Sequence, residues 1–121
     1  MKKQPEIIGF IGLGLIGGSI AKAIRQFYPN IHIVATSGRK ETVEQALSDH
    51  LIHEGCFGIG EVFSKCDYIF LCAPVSYNAK YLADLKNIIK KDCIITDVGS
   101  TKTDIHQRVI ELDMEENLCL I

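Results

Sequence analysis

The chain has no excess of basic charge, no paired-cysteine motif, no apolar run of membrane length and no composition break that would mark a linker. Each absence removes a class of function. Thirteen Lys and Arg stand against 15 Asp and Glu, a formal charge of −2, so no basic face is offered to nucleic acid or to an anionic lipid surface. Five cysteines, at 56, 66, 72, 93 and 119, form an odd set without a C-x-x-C pair. Cys72, Cys93 and Cys119 lie in or beside apolar runs, where a free thiol acts as a small hydrophobe. A disulfide framework or metal site has no support, and the expected setting is reduced and cytoplasmic. The longest apolar stretches, such as Tyr68–Val75, are too short to span a bilayer. Gly12, Gly14, Gly17 and Gly18 break the run that follows the charged start Met1-Lys2-Lys3, which argues against a cleaved signal peptide. H-E-x-x-H, G-x-S-x-G and paired-carboxylate patterns are also missing.

What remains is an ordinary globular composition, 47% apolar and 23% charged over 121 residues, the size of one domain. Short apolar runs alternate with helix-period segments, the pattern of a parallel sheet with crossover helices. The spacing predicts strands at Glu6–Ile11, Ile31–Thr36, Asp67–Ala73 and Cys93–Val98. It predicts helices at Ile16–Tyr28, Glu41–His50, Ala79–Ile89 and Lys102–Leu112. Leu51–Gly60 is glycine-rich and reads as a short third strand with a turn. Leu118–Ile121 reads as the start of a further strand. An apolar run at that point leads to the expectation that residues 1–121 are the amino-terminal dinucleotide-binding part of a longer protein.

The strongest signal is Gly12-Leu13-Gly14-Leu15-Ile16-Gly17, a G-x-G-x-x-G between the first strand and the first helix. Gly12 allows the tight turn, Gly14 lets backbone approach a pyrophosphate, and Gly17 lets helix and strand pack closely. Leu15 and Ile16, at the helix amino terminus, join the expected cofactor-binding set, because free N–H groups and the positive dipole end there suit phosphates. The fold class that follows is α/β, a Rossmann-type doubly wound parallel sheet in three αβα layers. NAD-binding units of this kind usually place a carboxylate after the second strand. Here Ala35-Thr36-Ser37-Gly38-Arg39-Lys40 has none before Glu41. Ser37, Arg39 and Lys40 suit the 2′-phosphate of NADP instead, with NAD as the alternative.

Two later strand ends carry candidate residues, because ligands of open parallel sheets bind at the carboxyl ends of strands. Cys72, Ala73, Pro74 and Val75 are placed to line the nicotinamide side. In Asp97-Val98-Gly99-Ser100-Thr101-Lys102, Gly99 permits close approach and Ser100 or Thr101 is able to cap the next helix. His32, His50, His53 and His106 stand away from predicted strand carboxyl ends and read as surface or packing residues.

Together, the block Ile8 to Ser19, the block Asp67 to Val75 and the block Asp97 to Lys102 resemble the nucleotide-binding domain of prephenate and arogenate dehydrogenases. The Gly-Gly-Ser and Asp-x-Gly-Ser-x-Lys elements make the likeness selective, and it covers nearly the whole chain. The resemblance implies oxidative decarboxylation in tyrosine biosynthesis: a nicotinamide takes hydride from the hydroxyl-bearing ring carbon, and loss of the ring carboxylate as CO2 aromatises the product. It also implies a catalytic role for Ser100, near the substrate hydroxyl and the family's catalytic histidine. That histidine sits in a Gly-Gly-His-Pro block that is not among these 121 residues. The resemblance further implies a small-molecule substrate, prephenate or arogenate, and a homodimer formed by a helical second domain. On this reading the 121 residues bind cofactor without turnover. A dinucleotide-sensing module without catalysis, another NAD(P)-dependent reductase and a methyltransferase are the competing readings.

Overall fold

The computed structural model describes residues 6–72, 75–97 and 118–120. Six strands form one sheet: β1 (Ile7–Ile11), β2 (His32–Thr36), β3 (Glu54–Cys56), β4 (Tyr68–Leu71), β5 (Ile94–Asp97) and β6 (Leu118–Leu120). Their spatial order is β3-β2-β1-β4-β5-β6, and every neighbouring pair is parallel. Among the described residues three α-helices connect them: α1 (Leu15–Phe27), α2 (Lys40–Ser48) and α3 (Val75–Lys86). This is the doubly wound dinucleotide order, with β1 beside the point where the winding reverses.

Alternation along the strands divides the core in two. Ile8 and Phe10 of β1, with Ile33 and Ala35 of β2, face one side. There they pack with Ala21 of α1 and with Val43 and Ala46 of α2. Ile11, Val34, Ile69, Leu71 and Ile95 face the other side, under Leu82 and Leu85 of α3. A strand buried on both faces must be apolar at nearly every position, which is why β1 reads IIGFI. The three αβα layers expected from the sequence are therefore present.

The observed elements differ from the predicted ones mainly at their ends. α3 begins at Val75, four residues ahead of the predicted Ala79, and stops at Lys86, ahead of the predicted Ile89. The segment after it tightens into a turn in which Ile88 and Ile89 both donate to the Leu85 carbonyl, each at 2.9 Å. A 3-10 helix at Glu61–Lys65 carries a core residue that the periodicity does not reveal: Phe63 is fully buried. Its ring occupies the space over Gly9, where an added Cβ would lie 2.9 Å from Phe63 Cδ1. The predicted helix at Lys102–Leu112 lies outside the described residues.

Beside that ring, burial pushes the thiols of Cys66 and Cys93 up to about 12. Both are packing groups rather than nucleophiles. The described histidines stand away from the ligand edge of the sheet, as expected. His53 Nδ1 accepts the Ile33 N–H at 2.9 Å, its ring stacks on His32 at 4.7 Å, and His32 Nε2 pairs with Glu54 Oε1 at 2.9 Å. Burial, with the nearby His32 and Arg25, holds the His53 pKa below its ordinary value. His50 has a φ of 59° just past the end of α2, and its N–H donates to the Leu47 carbonyl at 3.1 Å. Replacing it with Gly relieves the left-handed penalty, and a denaturant melt of His50→Gly should show a gain of about 1 kcal/mol.

At the amino edge of the sheet, Asp67 joins three strands. Its carboxylate accepts the N–H groups of Glu6 at 2.8 Å and Ile7 at 3.1 Å and pairs with Lys90. Its carbonyl accepts the Ile94 N–H at 3.1 Å. Burial, the largest single influence, raises the carboxyl pKa. The Lys90 and backbone hydrogen bonds together outweigh it and hold the group below its ordinary 3.8. The folded chain therefore binds this proton less tightly than the unfolded chain does. The stabilisation is complete above the ordinary value and is lost as the pH falls through the lowered one. Asp67→Asn should cost about 1–2 kcal/mol at neutral pH in urea melts, given its partial exposure. The gap to wild type should shrink steadily below pH 3.8.

Candidate functional site: a cleft over the strand ends

The parallel ladder continues one residue past the strands at the carboxyl edge. Gly12 N–H donates to the Thr36 carbonyl and Cys72 N–H to the Ile11 carbonyl, both at 2.8 Å. The exits of β1, β2 and β4 are thereby held level. Above them lies a cleft of about 1030 Å³, at the upper end of the size range of small-ligand sites. The β1–α1 turn supplies Gly12, Leu13 and Gly14 to its lining. The end of β2 and the turn after it supply Thr36, Ser37, Gly38 and Arg39. Thr42 on α2, Cys72 after β4 and Tyr81 on α3 complete the wall.

Each glycine of the turn has a distinct physical reason. Gly12 has a φ of 102°, a conformation that side chains strongly disfavour. At Gly17 an added Cβ would sit 2.4 Å from the Gly12 carbonyl oxygen, so only Gly lets α1 start this close to the turn. Gly14 differs: an added Cβ there meets nothing within 4 Å. Its backbone is exposed, and the protein by itself gives no steric reason for glycine. No side chain caps α1, and its first turn has no acidic residue. The first amides of a helix lack helical partners, so this end suits an anion approaching Gly14. Between the two outer glycines, Leu13 is driven into the core, where it packs with Phe10 and Ala21.

The structure brings together Gly12, Gly14, Ser37, Arg39 and Cys72 from the predicted set. Gly17 is buried behind the turn and acts through packing. Leu15, 89% exposed, lines a neighbouring hollow of about 500 Å³ between α1 and α2, and Ile16 is exposed at the same helix end. Lys40 does not line the cleft. Its ammonium lies 3.8 Å from Glu44 Oε1, one helical turn on, and 5.9 Å from the centre of the Phe57 ring. Val75 opens α3. Ala73, Pro74 and Ser100 lie outside the described residues. Leu13, Thr36, Gly38, Thr42 and Tyr81 are additions. Thr42 is the third residue of α2 and comes with the start of that helix at the cleft, whereas no sequence spacing signals Tyr81.

A family model described as prephenate dehydrogenase, nucleotide-binding domain, matches residues 20–119. The chain belongs to this family. The matched stretch begins after the glycine turn, so the turn is independent support. A prephenate dehydrogenase of Lactococcus lactis is 34% identical over 96 residues, covering 78% of this chain and 27% of the relative. The arogenate dehydrogenase of Synechocystis superposes with a TM-score of 0.76 at 32% identity, covering 88% of this chain and 37% of that one. The prephenate dehydrogenase of A. aeolicus, solved with hydroxyphenyl propionate and NAD+, gives a TM-score of 0.87 at 23% identity, over 99% and 42% of the two chains. That last likeness concerns the fold. The chain spans 27–33% of the length of the curated relatives it matches.

The contrast between two glycines is testable without ligand. Gly17→Ala should lose about 3 kcal/mol or more in denaturant melts, since the colliding atom is backbone. Gly14→Ala should stay within about 1 kcal/mol of wild type, the usual difference between Gly and Ala at a helix N-cap.

Proposed function

We propose that the chain is the NADP-binding part of a prephenate dehydrogenase-type oxidoreductase that converts prephenate to 4-hydroxyphenylpyruvate. The observation that carries the cofactor preference is the pairing of Ser37 and Arg39 on the cleft wall, with no carboxylate between the end of β2 and Glu41. A ribose with two free hydroxyls favours an acid at this position. A 2′-phosphate favours a guanidinium and hydroxyls. The Arg39 backbone N–H donates to Ser37 Oγ at 3.4 Å within this turn. Arg39 is also the N-cap of α2, so the positive end of that helix adds to the same field. The NAD+ seen with the A. aeolicus enzyme makes NAD the reading to beat.

The pyrophosphate is assigned to Gly12, Gly14 and the first amides of α1, including those of Leu15 and Ile16, and the nicotinamide side to Cys72, Ala73, Pro74 and Val75. A bound nicotinamide supplies hydride acceptance from the hydroxyl-bearing ring carbon, with departure of CO2 aromatising the ring. Ser100 is assigned the substrate hydroxyl. The 121 residues contain no Gly-Gly-His-Pro block, so on this proposal they bind cofactor without turning over prephenate or arogenate. The parent is a cytoplasmic homodimer on the same reading. No helix among the described residues is long and apolar enough to cross a membrane.

Calorimetric titration with NADP and with NAD tests the assignment. NADP should bind at least tenfold more tightly, and Arg39→Ala should remove most of that difference. Lys40→Ala should change the preference by less than about threefold, because its ammonium is already engaged by Glu44 at an exposed site. Equal affinities in the wild-type chain overturn the NADP preference.

A further inference from the structure

β3 is the edge strand of the sheet and is three residues long, so its register is shared with β2 alone. The residue just before it fastens the start of that pairing. The His53 backbone N–H donates to the Ile33 carbonyl at 2.8 Å, and His53 Nδ1 accepts the Ile33 N–H at 2.9 Å. Both main-chain groups of Ile33, a fully buried residue, are thus bonded by one histidine.

A neutral ring that accepts on Nδ1 carries its proton on Nε2. That atom lies 3.5 Å from Nη1 of Arg25, whose guanidinium only donates and is held by the His50 and Pro29 carbonyls at 3.2 and 3.1 Å. Both ring nitrogens therefore face donors. An imidazolium has a proton on each nitrogen and no lone pair, so protonation ends the Ile33 bond. The charged and titratable groups that face the ring are Arg25 from α1, His32 from β2 and Glu54 from β3. Glu54 is already engaged by His32 at 2.9 Å. Partial burial of the ring, then His32 and Arg25, outweigh Glu54 and hold the pKa below 6.5. His53 is nevertheless exposed, so a proton reaches it without unfolding.

The far end of the same segment touches the cleft. Two residues past β3, the Gly58 N–H donates to Thr36 Oγ1 at 3.1 Å. Thr36 lines the cleft, and its carbonyl accepts the Gly12 N–H of the glycine turn at 2.8 Å.

We propose that His53 is a proton-operated clasp: the neutral ring holds β3 on β2, and the imidazolium releases residues 53–58, so that Thr36 loses the Gly58 bond beside the cleft. The folded ring binds its proton less tightly than an unfolded one. The hold is therefore complete above 6.5 and is lost as the pH falls through the lowered value. The effect on a bound nucleotide rests on the dinucleotide reading given above; the clasp itself does not.

NMR titration of the 121-residue chain tests the clasp. The His53 ring should titrate below 6.5. The amides of Ile33, Glu54 and Gly58 should shift and lose exchange protection with the same midpoint, while those of β4 and β5 stay protected. His53→Asn sets a carbonyl oxygen where Nδ1 stands and takes up no proton in this range, so its Ile33 and Gly58 amides should stay protected throughout. His32→Gln should keep the transition and move its midpoint up, since the His32 ring no longer opposes the charge. Ile33 and Gly58 amides that ignore the His53 titration, or a transition that survives in H53N, overturn the clasp. Should H53N fail to fold, the wild-type and H32Q titrations decide it. NAD, whose pyrophosphate keeps its charge over this range, should bind the wild-type chain about fivefold more weakly below the midpoint than above it, a modest coupling between sites. H53N should bind it equally at both. Equal NAD affinities in the wild type overturn the link to the cleft. A chain that binds no NAD at either pH overturns the dinucleotide reading, and the amide titration still decides the clasp.

Discussion

Between Gly17 and the carbonyl oxygen of Gly12 there is no room for a methyl group, and this contact sets the starting point of α1. Because α1 begins that close, Leu13 turns inward to the core and the uncapped amides of α1 stand directly over the exit of β1. The ladder bonds from Gly12 to Thr36 and from Cys72 to Ile11 then hold the neighbouring exits at the same height. The cleft is a by-product of this arrangement. A parallel sheet whose winding reverses beside β1 leaves no helix above the reversal, and the level strand ends form the floor of the gap.

The two edges of the sheet do different work. At the amino edge, Asp67 spends its carboxylate on Glu6, Ile7 and Lys90, and the stacked imidazoles of His32 and His53 tie β2 to the approach to β3. Those groups contribute stability and lie away from the ligand edge. Among the described residues at the carboxyl edge, Ser37 bonds its own turn, and a Cβ at Gly14 would touch nothing. The turn residues described at this edge line the cleft, while the strands beneath supply position.

Much of this was legible in the sequence. The apolar runs located the four longer strands, the Gly12–Gly17 spacing placed a glycine turn at the edge where the cleft lies, and the missing acid after β2 set apart Ser37, Arg39 and Lys40. Three features were not legible, each for a physical reason. The 3-10 helix carrying Phe63 is too short to show a helical period, and its burial depends on the space above Gly9. Tyr81 reaches the cleft through the crossing of α3 over the sheet, a tertiary relation that no local spacing encodes. Lys40 follows Arg39 in sequence, yet the start of α2 carries it around to Glu44 and Phe57. Adjacent residues at a helix start point about 100° apart, so two neighbouring cations need not serve the same ligand.

The steric difference between the glycine turn and the β2–α2 turn has an evolutionary consequence. A Cβ at Gly38 meets nothing within 4 Å, and Arg39 is exposed, so substitutions across this turn leave the core untouched. Gly17 has no such latitude. If coenzyme choice lies in the β2–α2 turn, as proposed above, a lineage carrying this fold is able to exchange one coenzyme for another by drift at a few surface positions, while the glycine turn stays fixed. Coenzyme preference is then a poor tracer of ancestry in such proteins, and the glycine turn a durable one.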